Sequence, residues 1–95
     1  MNIRYSRRAL SQLASVFEYL QERDRSAADN VTASIRSTVV RLGEMPLLGK
    51  ATDEAGVFVI MEPEYHYRVF YVVEGQQVLV LRILHRRQRW TQPRL

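Results

Sequence analysis

The chain has no cysteine and only two histidines, His66 and His85, in 95 residues. Without thiols there is no disulfide framework and no thiolate zinc site, and two imidazoles make no metal cage without carboxylate help. Nothing in the composition calls for a metal or a cofactor. Long apolar runs are also missing. The longest, residues 57–61 and 69–73, are five residues each, far short of the ~20 of a membrane span. Arg4, Arg7 and Arg8 are followed by Ser11, Gln12 and Glu18 rather than by the apolar core of a secretion signal. The expectation is a cytoplasmic protein with no membrane contact. No repeat, low-complexity tract or Pro/Gly/Ser-rich linker interrupts the chain, so one domain over residues 1–95 with one thin core is expected.

Acidic residues are scarce where basic ones crowd. The net charge is +4, but residues 49–81 carry five acids against Lys50 and Arg68, whereas residues 82–95 carry five arginines and no acid. Thirteen of the fourteen basic side chains are Arg, the one that makes planar, bidentate contacts to carboxylates and phosphates. A basic terminus of this kind suits an acidic protein segment or a nucleic acid, although such a tail also keeps a small domain soluble.

Residues 2–5 read as a short strand with Ile3 and Tyr5 on one face. Ser6 is a helix N-cap, and behind it Leu10, Leu13, Phe17 and Leu20 recur at spacings of three and four, which stacks them on one helical face as far as about Arg23. Ser26 is the expected cap of a second helix, with Asp29 in its first turn and Ala28, Val31, Ile35, Val39 and Leu42 as its apolar stripe. Gly43 is placed to end it, with Pro46 beyond. The join at residues 24–25 is so short that the two helices pack antiparallel. Three strands then follow, at residues 57–62, 67–73 and 77–84, and Gly75 supplies the positive φ of the turn between the last two. The order β-α-α-β-β-β gives an α+β fold, a helical hairpin packed on a small, mainly antiparallel sheet. These strands are apolar at nearly every position, as in a sheet covered on both faces. The hairpin covers one.

This order resembles the ParE/RelE superfamily, the toxins of bacterial type II toxin–antitoxin systems. The string Ser6-Arg7-Arg8-Ala9-Leu10 with Leu13, Phe17 and Tyr19 is similar to the family's first helix, and Val39, Leu42, Pro46 and Gly49 to the end of its second. Tyr67-Arg68-Val69-Phe70-Tyr71, a tight turn, and Val78 through Leu84 to His85-Arg86-Arg87 resemble the ParE branch. Two departures are visible. Arg86 stands where ParE-like chains often have Gly, and Val57 and Phe58 stand where many have Arg. The resemblance implies a growth-arresting toxin held inactive in a hetero-oligomer by a cognate antitoxin, with a ribbon-helix-helix DNA-binding part and a flexible C-terminal segment, acidic by charge complementarity. It implies two possible targets: DNA gyrase, without chemistry by the toxin, for ParE-like members, or ribosome-bound mRNA, which RelE-like members cut.

RNA cleavage through the 2′-hydroxyl needs a base, cations at the phosphate and an acid for the leaving oxygen. On that reading the catalytic residues are Arg68, Arg82 and His85. Three features count against it. The charges between Lys50 and the middle strand are the acids Asp53, Glu54, Glu62 and Glu64, which repel a phosphate backbone. Arg82 and His85, three apart, face opposite sides of a regular strand. No Tyr or Lys follows His85. The binding reading places the partner site on Arg82, Arg86, Arg87, Arg89 and Trp90, where cationic and aromatic groups crowd. On that reading His85 is structural, and Arg68 pairs across strands with a carboxylate such as Glu62. A third reading is a non-toxic interaction module on the same fold.

Overall fold

The computed structural model describes residues 1–88. Its elements are β1 (Asn2–Tyr5), α1 (Arg7–Gln21), α2 (Arg25–Glu44), β2 (Lys50–Ala51), β3 (Phe58–Met61), β4 (Tyr67–Glu74) and β5 (Gln77–His85). The strands form one mixed sheet in the order β1-β5-β4-β3-β2. Only β1 and β5 run parallel, and the remaining pairs are antiparallel. The α+β order expected from the sequence is present, with one addition: the two-residue β2, which pairs through Lys50 with Val59 and through Ala51 with Phe58. So short a strand carries no period-two signal. Val57 and Glu62, the expected ends of the strand at residues 57–62, lie just outside β3.

Ser6 caps α1 as expected, its Oγ accepting the Ala9 N–H at 3.0 Å. The same residue pins the helix to the sheet: its N–H donates to Val80 O and its hydroxyl to Leu81 O. That anchorage fixes the rotation of α1, so Ala9 and Leu13 are buried, Val16 and Leu20 pack beside them, and Leu10 is 52% exposed. The expected stripe was therefore one residue out of phase at its start. The α2 stripe of Ala28, Val31, Ile35, Val39 and Leu42 is buried throughout.

Both ends of α2 differ from expectation. Asp24, not Ser26, is the cap, extended at φ −159° with its carboxylate accepting the Ala27 N–H at 3.2 Å. Asp24→Ala is expected to lower stability by about 1 kcal/mol, which thermal denaturation reads as ~4–8 °C in a domain of this size. Ser26→Ala is expected to change it little. At the other end α2 runs through Gly43 to Glu44. The glycine serves close approach rather than termination, because a Cβ there would lie 3.1 Å from Ile3 Cδ1 and 3.3 Å from Met1 O. β1 packs against the helix through that gap.

The expectation of a sheet covered on both faces holds in an unequal way. Val69, Tyr71, Val78, Val80 and Ile83 join the helices in the main core, while Val57, Phe70 and Leu84 form a second cluster with Val59, Val72 and Leu81. Gly75, at φ 57°, makes the two-residue β4–β5 turn.

Candidate functional site

A bulge in β5 decides which functional side chains meet. Phe70 pairs with Arg82 but Tyr71 with Val80, so Leu81 is the extra residue. Val78 and Val80 face the helices; beyond the bulge that face continues with Ile83 and His85, and Arg82 and Leu84 turn to the other side. Arg68 pairs with Leu84 and Tyr67 with His85. Arg68 and Arg82 thus share the face away from the helices, with Phe70 between them, and His85 stands on the helix side. The arginine guanidinium of residue 68 lies 5.4 Å from the Phe70 ring centroid. One register row crosses that face as Lys50, Val59, Phe70 and Arg82. Arg8 and Glu54 act on Arg82 by charge in opposite senses.

Arg68 does not pair with Glu62. Its Nη2 donates to His85 O at 3.4 Å, while Glu62 is wholly buried and serves the loop that joins β3 to β4. Its carboxylate accepts from Ser34 Oγ at 2.7 Å, from Glu64 N at 2.7 Å, from Tyr65 N at 2.9 Å and from Tyr67 N at 3.5 Å. Burial by itself would raise this carboxyl, but the hydroxyl and the backbone donors of Tyr65, Glu64 and Tyr67 outweigh it and hold the pKa below 4.5. The loop also holds His66 in the left-handed region, φ 65°, where its carbonyl accepts the Arg86 N–H at 2.9 Å.

That last bond brings the basic cluster against the loop. β5 ends at His85 in a tight turn, with Gln88 N donating to His85 O at 2.8 Å. Arg86 and Arg87 are exposed there. Of the partner residues expected from the sequence, Arg82, Arg86 and Arg87 are placed, and Arg89 and Trp90 lie outside the described residues. Arg82 lies within the strand on the far face, whereas Arg86 and Arg87 stand at its end beside His66 and His85. His85 touches Tyr67 edge to face at 5.2 Å between ring centroids. Its Nδ1 accepts the Arg87 N–H at 3.3 Å, which puts the proton of the neutral ring on Nε2. Burial, then Arg87, Arg86, His66 and Arg68, lower its pKa from the ordinary histidine value, which favours the neutral ring. His85 is thus held by its backbone N–H, by Nδ1 and by the Tyr67 ring.

Sequence reasoning missed two side chains here, Gln12 and Gln88. β1 pairs with β5 only as far as Val80, so beyond that point this edge of β5 has no partner strand among the described residues. Ile83 N–H donates to Gln12 Oε1 at 2.7 Å and His85 N–H to Gln88 Oε1 at 2.8 Å. Two side-chain amides blunt an open strand edge. A lone Gln on a helix surface carries no local signal of that role.

A helical hairpin packed on one face of a five-stranded mixed sheet is the fold shared by the ParE and RelE toxin structures. A chain of the chromosomal ParDE toxin–antitoxin system of Pseudomonas aeruginosa superposes with a TM-score of 0.79 at 18% identity, over 90% of this chain and 95% of that one. The intact Escherichia coli RelBE toxin–antitoxin complex gives 0.70 at 16%, over 92% and 98%. A candidate toxin of Sinorhizobium fredii (strain NBRC 101917 / NGR234), Y4kP, is 29% identical over 90 residues, 95% of this chain and 93% of its own. The profile of the ParE toxin of the type II toxin–antitoxin system parDE matches residues 3–90. The chain belongs to that family and is a toxin of a type II toxin–antitoxin system. Among the described residues no helix is long and apolar enough to cross a membrane.

Proposed function

We propose that this toxin works by binding and not by catalysis: it inhibits DNA gyrase through its basic strand end, and a cognate antitoxin neutralises it by covering the same surface. The antitoxin is of the ribbon-helix-helix type, its acidic flexible segment lying along residues 82–89. The observation that carries this reading is the separation of His85 from Arg68 and Arg82 onto opposite faces of the sheet. Of the three groups an RNA-cleaving reading would use, only the imidazole exchanges protons near neutrality, and it is tied to the Arg87 N–H behind the strand. Arginine, with a pKa above ~12, does not serve as a general acid.

One observation favours the second reading. Lys50, Arg68 and Arg82 share the far face around Phe70, a cationic surface that fits a phosphate backbone. The two readings separate in one experiment: supercoiling by purified gyrase with the toxin added, scoring trapped DNA cleavage, beside mRNA cleavage on ribosomes. The expected result is gyrase inhibition relieved by antitoxin, and loss of that inhibition by about tenfold or more in Arg86→Glu/Arg87→Glu, because like charges then face the target site. Arg68→Ala is expected to retain it. Ribosome-dependent cleavage abolished in Arg68→Ala, with gyrase untouched, would replace this reading by the RelE-like one.

A further inference from the structure

Between α1 and the end of β5 lies a cleft of about 290 Å³ whose described lining includes Ser11, Gln12 and Ser15 from the helix, Tyr67 and His85 from the sheet, and Gln88 from the turn. Its hydrogen-bonding character is set by what the backbone has already taken. Gln12 and Gln88 each give Oε1 to a strand N–H, so each presents its NH₂ as the group left over. His85 gives Nδ1 to Arg87, and its Nε2–H is left over in the same way. Burial, Glu62 and Tyr19 raise the Tyr67 phenol, which keeps it protonated and able to donate. The hydroxyls of Ser11 and Ser15 complete the lining. The two amides and the imidazole thus offer donors only, while the three hydroxyls donate or accept as a ligand requires. No carboxylate stands among the described lining residues.

We propose that this cleft is a carboxylate-binding site, entered by an acidic side chain of the partner segment. Carboxylate oxygens only accept, and charge-assisted hydrogen bonds of this kind are about twice as strong as neutral ones. The charges around the cleft are mainly positive. Arg87 and Arg86 from the turn, His66 from the loop before β4 and Arg68 from β4 all act against the charged form of His85, α1 contributes Tyr19 to the lining but no acid, and the opposing negative charge is Glu62, acting on Tyr67. The site lies on the opposite side of the sheet from Arg68 and Arg82, so it is separate from the cationic row on the far face. The inference rests on the reading that the partner segment is acidic, and it adds where one of its carboxylates is held.

The test uses a capped hexaglutamate peptide, capped hexaglutamine and inorganic phosphate as probes, at fixed ionic strength, with the side-chain amide and imidazole NMR signals as readout. Hexaglutamate is expected to shift the Gln12 and Gln88 NH₂ signals and the His85 ring, and to move the ring's titration midpoint upward, since a carboxylate favours the imidazolium. Hexaglutamine is expected to shift none of them. Gln12→Glu keeps an acceptor for Ile83 N–H while replacing the donor by a negative charge. It should weaken hexaglutamate binding by about tenfold or more with an unchanged melting temperature. Gln88→Glu, on an exposed turn, is the second variant should Gln12→Glu fold poorly. Shifts confined to the Arg86 and Arg87 backbone, binding undiminished in both variants, or no binding at all would each overturn the site. Phosphate occupying the cleft ahead of hexaglutamate would overturn its assignment to a carboxylate. Loss of the gyrase effect with the cleft still filled would sink the functional reading and leave the site standing.

Discussion

Glu62→Ala is expected to lower the stability of the domain by about 3–5 kcal/mol, enough to leave much of the protein unfolded near 37 °C. The side chain is wholly buried and accepts from Ser34 and from the backbone of Glu64, Tyr65 and Tyr67. Truncation strands several part-buried donors at once. Glu62→Gln keeps the shape but turns an NH₂ toward donors, and about half that loss is expected. The carboxyl also sets an acid limit. Its folded pKa lies below the ordinary 4.5, so its ionisation contributes stability that is complete above pH ~4.5 and lost as pH falls through the folded value. Melting temperature followed from pH 7 to pH 3 should drop at the acid end for the native chain, and Glu62→Gln should flatten that limb. A native-like melting temperature for Glu62→Ala at pH 7 would sink the account.

The second large effect is expected at Gly49. A Cβ added there would stand 2.6 Å from Tyr71 Oη, 2.7 Å from Val59 O and 2.9 Å from Tyr71 Cε1. Neither neighbour yields easily: one is strand backbone and the other is a fully buried ring stacked on Phe58 at 5.6 Å. The Tyr71 hydroxyl accepts the Gly49 N–H at 2.9 Å and donates to Pro46 O at 2.8 Å, tying the α2–β2 connection to the core. Gly49→Ala should cost about 2–4 kcal/mol by forcing that ring or the β2–β3 pair aside. Tyr71→Phe keeps the ring and removes only the two bonds, at about 1–2 kcal/mol. Chemical denaturation of both variants separates crowding from hydrogen bonding. Equal losses would mean that the bonds, and not the close contact, account for Gly49.

Local patterns in the chain carried the order of elements, the α2 stripe, the Ser6 cap and the Gly75 turn, because each depends on neighbours within four residues. What depended on distant partners was less legible. The phase of α1 is set by Ser6 reaching Val80 and Leu81, and Gly43 is small because Ile3 lies beside it. Two carboxylates had local roles that spacing alone misassigned: Asp24 took the cap given to Ser26, and Glu62 turned to its own loop and not to Arg68. The opposition of Arg82 and His85 was legible from their spacing of three. Their joint relation to Arg68 was not, since it needs the β4–β5 register and the bulge at Leu81. Gln12 and Gln88 were invisible for a similar reason. Their meaning comes from strand N–H groups that β1 is too short to reach.

The parallel pairing of β1 with β5 joins the beginning of the described chain to its end, with Ser6 and Leu81 bonded across 75 residues. β5 is also the strand between β1 and the rest of the sheet, so until it is synthesised β1 has nothing to pair with and α1 has no floor. Non-local closure of this kind is slow compared with forming the helical hairpin. A nascent chain that has not yet extended through Leu81 therefore holds at most the helical hairpin, and the sheet that carries the basic strand end assembles after it.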